Sequence, residues 1–179
     1  MSHGATPPDP SNAEILAIWI SPGHDFAGRH GQERLENGIV ACDQIECVAG
    51  SGLRGDRYFD HKEDYKGQLT LIAKEVIDDV CQAIDQLEAD PAAFRRNILT
   101  QGLDLNALIG QRFRLGEVEL SGSEECKPCH WMDTAIGPGA HASLKDRGGL
   151  RCRIIRSGLL NTGGCNFEVL GPILTPNPQ

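Results

Sequence analysis

The sequence lacks any run of roughly 18 uninterrupted apolar residues, so no segment reads as a membrane-spanning helix. Its opening, "MSHGATPPDPSN", has no apolar core of the kind a secretory signal needs. Both absences point to a cytoplasmic chain with no membrane partner. Aromatic residues are scarce, 5% of 179, which leaves the core to aliphatic side chains. Positive charge is also short: 17 basic against 25 acidic residues give a net charge of −8. A nucleic-acid partner, which requires a basic footprint, is therefore not expected. There is no internal repeat, no flavin or haem motif and no ferredoxin-like cysteine series, so any electrons the protein uses must come from a partner.

Seven cysteines are present, an odd number. In a reducing compartment thiols stay free, and metal or catalytic roles outrank structural disulfides. The length suits one domain. Residues 1 to 12, with Pro7, Pro8 and Pro10, read as a disordered leader, residues 13 to 172 as a single domain, and 173 to 179 as a tail.

Inside the domain the periodicities alternate. "AEILAIWIS" reads as a buried strand closed by Pro22 and Gly23, and "GIVACDQIECVAG" as one or two more. In "GQLTLIAKEVIDDVCQAIDQL" the period shifts from strand (Leu69, Leu71, Ile72) to helix (Val76, Val80, Ile84, Leu87), with the acidic residues outside. Asp90 and Pro91 are an N-cap and a first helical residue. "FRRNILTQG" is a strand, "DLNALIG" a helical turn, and "QRFRLGEVELSGSEE" a hairpin about Gly116. A short helix follows in "GPGAHASLKD", then strands in "GGLRCRIIRSG" and "NFEVLGPIL". Six to eight short strands beside one long helix and a few short ones predict an α+β, mostly β fold: a barrel-like arrangement of antiparallel or mixed strands.

Charge is unevenly spread. The acidic run Glu75 to Asp90 and the basic run Lys145 to Arg156 both suit solvated faces. The basic run, with Arg95 and Arg96, also suits a small anionic ligand such as a phosphate.

The motif with most chemistry is "SEECKPCHWMD". Its C-x-x-C has several readings. A thioredoxin-like redox pair belongs at the start of a long helix early in a βαβ fold, whereas this one follows a hairpin late in the chain. A closed zinc site needs four ligands, and His130, His141, Cys152 and Cys165 stand singly. Simple burial suits Cys42, Cys47, Cys81, Cys152 and Cys165 better than Cys126 and Cys129, which have polar neighbours. The remaining reading is one reactive thiolate that binds a soft metal or carries sulfur.

The ordered segments "GLRGDRYF", "GQLTLIAKEVID", "FRRNILTQGLDLNALIGQRFRLGEVELSGSEECKPC" and "GGLRCRIIR" resemble the MOSC domain family, named for the C-terminal domain of molybdenum-cofactor sulfurases. The resemblance covers about residues 15 to 170. It implies a β-barrel-rich fold and a molybdenum cofactor, a pterin whose metal meets one cysteine, which the match places at Cys129 as catalytic residue and metal ligand. From the "FRPN"-like stretch of related amidoxime reductases it implies Arg95 and Asn97 as cofactor-binding residues, with Arg96 standing where those enzymes have proline. Asp56 and Arg57 of "GDR" join them as candidate contacts to pterin nitrogens and to an anion. The implied activity is reduction of N-hydroxylated compounds, such as hydroxylaminopurines or amidoximes, with a separate electron-donor protein. The alternatives are a sulfur carrier, in which Cys129 holds a persulfide supplied by another enzyme because no pyridoxal-phosphate domain is fused here, and a non-catalytic cofactor-binding module.

Overall fold

The computed structural model describes residues 13–25, 35 and 37–174. The expected leader and the last five residues of the tail lie outside the described residues. The strands are β1 (Glu14–Ile20), β2 (Val40–Cys42), β3 (Gln44–Val48), β4 (Gly52–Leu53), β5 (Leu69–Ala73), β6 (Ile98–Gln101), β7 (Gln111–Leu115), β8 (Val118–Glu125), β9 (Leu150–Arg156), β10 (Gly158–Asn161), β11 (Gly163–Gly164) and β12 (Phe167–Pro172). The helices are α1 (Lys74–Ala83), α2 (Trp131–Ala135) and α3 (Ala140–Ser143).

Nine strands form one sheet in the order β11-β1-β6-β5-β9-β8-β7-β12, with β2 also paired to β1, and β10-β3-β4 form a second. Every pair is antiparallel except β5 with β6, which α1 joins by a crossover. The mostly β, mixed-sheet α+β class is the one expected. Two differences stand among the described residues: twelve strands, several of two or three residues, replace the six to eight counted from sequence, and neither sheet closes into a barrel.

Alternation along the strands builds two apolar layers. Leu69, Leu71 and Ile98 face a core shared by both sheets, while Ile72 and Leu99, one position on, face the helices. The hairpin about Gly116 pairs Phe113 with Leu120 and Leu115 with Val118, all fully buried. In β1 a bulge opposite Leu99 and Thr100 lets Ile15 and Ile18, three apart, both reach the shared core.

Helix α1 corrects the sequence reading. It buries Ile77, Val80 and Cys81, and Leu87, expected on that stripe, is 70% exposed. The helix stops early because Asp85 adopts a left-handed φ of 55°, with its N–H on the Gln82 carbonyl and that of Gln86 on the Cys81 carbonyl. This is a Schellman closure with aspartate where glycine is usual.

Candidate active site

The site is organised by the three residues after Phe94. Asp90 starts the turn Pro91–Phe94, its carboxylate accepting the Ala92 N–H at 2.9 Å, and Arg95 stops it with a left-handed φ of 56°. Successive side chains then diverge. Arg95 pairs with buried Asp25 at 3.2 Å and donates to the Ser21 hydroxyl. Arg96 turns inward onto backbone carbonyls. Asn97 ties three segments together: its amide oxygen accepts from the Thr70 N–H and hydroxyl at 3.0 and 2.9 Å, and its amide nitrogen donates to the Trp19 carbonyl and Asp56 Oδ2 at 3.2 and 3.3 Å. All four hydrogen-bonding positions of that amide are in use.

Asp56 is 6% exposed. Its carboxylate accepts the backbone N–H groups of Ser21 (3.0 Å) and Tyr58 (3.1 Å) and faces Arg57 at 3.8 Å. "GDR" therefore sets a carboxylate behind the wall of the site and an arginine in it.

Arg57, Arg95, Asn97 and Cys129 border one cleft of about 250 Å³, and Asp56 stands behind it. Arg96, Lys127 and Arg151 add three more cations to its lining, against one acid, Asp25. An acidic protein thus carries a locally positive concavity, which attracts anions. The Nε of Arg57 is buried with no hydrogen-bond partner among the described residues. Such a donor in a cleft wall suits an acceptor oxygen of a ligand.

One wall is aromatic. The chain has two tyrosines, and both are here: Tyr58 and Tyr65 stack at 5.2 Å, with Arg57 4.7 Å from the Tyr58 ring and His24 edge-on to it. Burial and the charges of Arg57 and Arg95 lower the His24 pKa from 6.5. A lowered histidine leaves stability untouched above pH 6.5 and weakens the fold as pH falls, because the unfolded chain takes the proton first. NMR titration of the imidazoles should give His24 a midpoint below 6.5; a midpoint at or above it would place the guanidiniums away from the ring.

The seven thiols divide by environment. All are free. Burial, aided by Glu46, pushes Cys47 up to about 12; burial also raises Cys81, Cys152 and Cys165, which favours the protonated thiol at all four. Cys126 is buried and lines the cleft with Arg151; partial burial opposes the Arg151 charge, while Cys126, Tyr65 and Glu124 sustain it. Cys129 is exposed at the rim. Cys126 and Cys129 are both free thiols, the first buried and the second exposed. Among the described residues no three His, Cys, Asp or Glu side chains gather to hold a metal. A metal at Cys129 would thus take its other ligands from a bound organic group, and a closed zinc set is not formed there.

Ser21, His24, Asp25, Tyr58 and Tyr65 were not singled out from sequence, and each is brought in by contacts between distant segments. A compositional signal was available: both tyrosines and the glycines around them fall within thirteen residues of "GDR". The basic run contributes Arg151 alone to this cleft; Arg153 pairs with Asp64 and Arg147 with Asp79.

The MOSC domain model matches residues 48–164. Among solved structures the chain is similar to the YuaD protein from Bacillus subtilis, with TM-score 0.65 and 16% identity over 88% of this chain and 95% of that one. It is also similar to YiiM from Geobacillus stearothermophilus (0.61, 14%, covering 88% and 75%) and YiiM from Escherichia coli (0.61, 18%, covering 89% and 71%). No curated protein matches the sequence. At these identities the structural likeness concerns the fold.

Proposed function

The chain belongs to the MOSC domain family, and from that premise we propose that the cleft holds a molybdenum–pterin group and reduces N-hydroxylated compounds, among them hydroxylaminopurines and amidoximes. Electrons come from a separate redox protein. The overall conversion is R–NHOH + 2 electrons + 2 protons to R–NH₂ + H₂O. The observation that carries this reading is the exposed Cys129 thiol on the rim of a positive cleft whose wall holds an unpartnered Arg57 Nε.

The residues suit the group. A thiolate is a soft donor, fit for a thiophilic metal, and Cys129 is accessible. Arginine offers planar, permanently charged donors to a phosphate. Arg57 and Arg95 would take that part, each already oriented by a carboxylate, Asp56 and Asp25 respectively. Asn97 and Asp56 hold the strands and the "GDR" turn in register, so that both arginines keep their direction. The stacked tyrosines shield one side of the cleft from water and present a flat face to a planar group. When bound, the cofactor supplies two-electron chemistry at a metal with a position open to substrate. The chain brings no redox group of its own beyond thiols.

The test is metal and pterin analysis of protein made in a host that synthesises the cofactor, together with intact-mass measurement without reductant. Molybdenum and pterin near one per chain, with reduction of a hydroxylaminopurine by a chemical electron donor, is the expected result. A labile sulfur adduct on Cys129 without molybdenum would instead make the protein a sulfur carrier, a reading that the thiol's exposure also favours. Bound pterin without turnover would leave a cofactor-binding module.

A further inference from the structure

Arg96 is 8% exposed, and its guanidinium makes no ion pair among the described residues. It donates instead to three carbonyls from three separate segments: Phe94 (2.8 Å), Gly148 (2.8 Å) and Cys126 (2.9 Å). A buried cation satisfied by neutral acceptors is costly to desolvate, and these acceptors belong to the segments that meet beneath the cysteine loop.

That meeting is tight. The Cys126 N–H donates to the Gly149 carbonyl at 2.7 Å, and the Gly148 N–H donates to the Glu125 carboxylate at 3.1 Å. A Cβ on Gly148 would collide with the Cys126 carbonyl oxygen and come within 2.9 Å of Pro128 Cδ. The Cys126 peptide is thus gripped on both sides, by Gly149 at its N–H and by Arg96 at its carbonyl. From that fixed point the chain passes through Lys127 and the φ-restricted Pro128 to Cys129. The Cys129 carbonyl then accepts the Met132 N–H at 3.0 Å and opens α2. Cys129 is held between a clamp and a helix start.

We propose that Arg96 is the positioning residue of this loop, and that its grip decides which of the two sulfurs reaches the rim: Cys129 outside, Cys126 inside against Arg151. The inference goes beyond the cofactor reading and holds whether or not molybdenum binds.

The test measures alkylation rates at each cysteine by peptide mass spectrometry after timed iodoacetamide exposure of the folded full-length chain. In the parent, Cys129 should react at least roughly tenfold faster than Cys126, which reacts only through local opening. Arg96→Met should raise the Cys126 rate by about tenfold or more while Cys47 and Cys152, in the core, stay protected. Arg96→Lys, with a compact charge that can still reach a carbonyl, should fall between. Cys126 remaining as protected as in the parent, with Cys47 and Cys152 also protected, would overturn the proposal. So would a parallel rise at all three sites, which would mark Arg96 as a general stabiliser. If Arg96→Met does not fold, Gly148→Ala takes its place, since it pushes the same carbonyl out of the clamp. Selective Cys126 labelling in that variant supports the proposal, and its absence overturns it. Because no step involves the cofactor, failure here is distinct from failure to find molybdenum.

Discussion

Cys129→Ser should leave a folded protein that retains neither molybdenum nor pterin from a cofactor-producing host, whereas Cys126→Ser should retain both. The two substitutions change the same atom at positions three apart, so their contrast isolates the environment. Cys129 is exposed, and replacing an exposed side chain shifts stability by no more than about 0.5 kcal/mol. Any loss of metal would therefore come from chemistry. A serine hydroxyl is a hard donor that stays protonated at neutral pH, and it does not replace thiolate on a soft centre. Changes behind a metal ligand typically cost about 10–100-fold in affinity or activity, so loss of the ligand itself should exceed that. At Cys126 the prediction reverses. The buried sulfur meets Arg151, a hydroxyl can accept from the same guanidinium, and the expected cost is about 1 kcal/mol of stability. Molybdenum and melting temperature, measured on both variants, give the answer. Metal kept by Cys129→Ser and lost by Cys126→Ser would move the ligand to the inner thiol.

That contrast also marks how far the sequence reached. The hairpin was legible because a period of two leaves a trace: Phe113, Leu115, Val118 and Leu120 declare it, and the structure pairs them as expected. The end of α1 was not legible. Its stop depends on Asp85 taking a conformation usually left to glycine, so apolar periodicity ran on to Leu87 without a visible break. Closure of a sheet into a barrel depends on whether its first and last strands meet, and no local pattern encodes that.

At the site, motif and role came apart. Asp56 and Asn97 were named as cofactor contacts through the family resemblance. Their bonds run to Ser21, Thr70, Trp19 and Tyr58, and so to the scaffold rather than to open space. Arg96 was read with Arg95 as a cation for a small anionic ligand. Its partners are backbone carbonyls, which every residue carries, so nothing in the alphabet of side chains announces the clamp. The charge runs proved partly mutual: Arg147 of the basic run lies 3.3 Å from Asp79 of the acidic one. What the runs share is a solvated surface, and only Arg151 departs from it into the cleft.

The glycines beneath the clamp carry the largest expected stability effect. Gly149→Ala should lower stability by about 2–6 kcal/mol, the sum of backbone strain of about 1–3 kcal/mol and overpacking of about 1–3 kcal/mol. Two causes act together. Its φ is 105°, where a side chain is strained, and an added Cβ would sit well inside the 3.0 Å limit from the Leu71 carbonyl oxygen. That oxygen lies where β5 pairs with β9, Leu71 opposite Leu150, so relief by movement would spread into the centre of the main sheet. It would also press on Arg96, whose Nε is 3.5 Å from the same Cβ position, and so loosen the Cys126 clamp. Total stabilities of single domains are about 5–15 kcal/mol, so the variant should lose a large share of its stability and unfold at a much lower urea concentration than the parent. Gly50→Ala supplies the control. It shares a positive φ, 77°, but its Cβ would meet nothing within 4 Å, and it should cost only about 1–2 kcal/mol. Urea unfolding of both variants separates collision from conformation. Equal midpoints would mean that the Leu71 contact relaxes freely, and that the bed of the cysteine loop is far softer than its geometry requires.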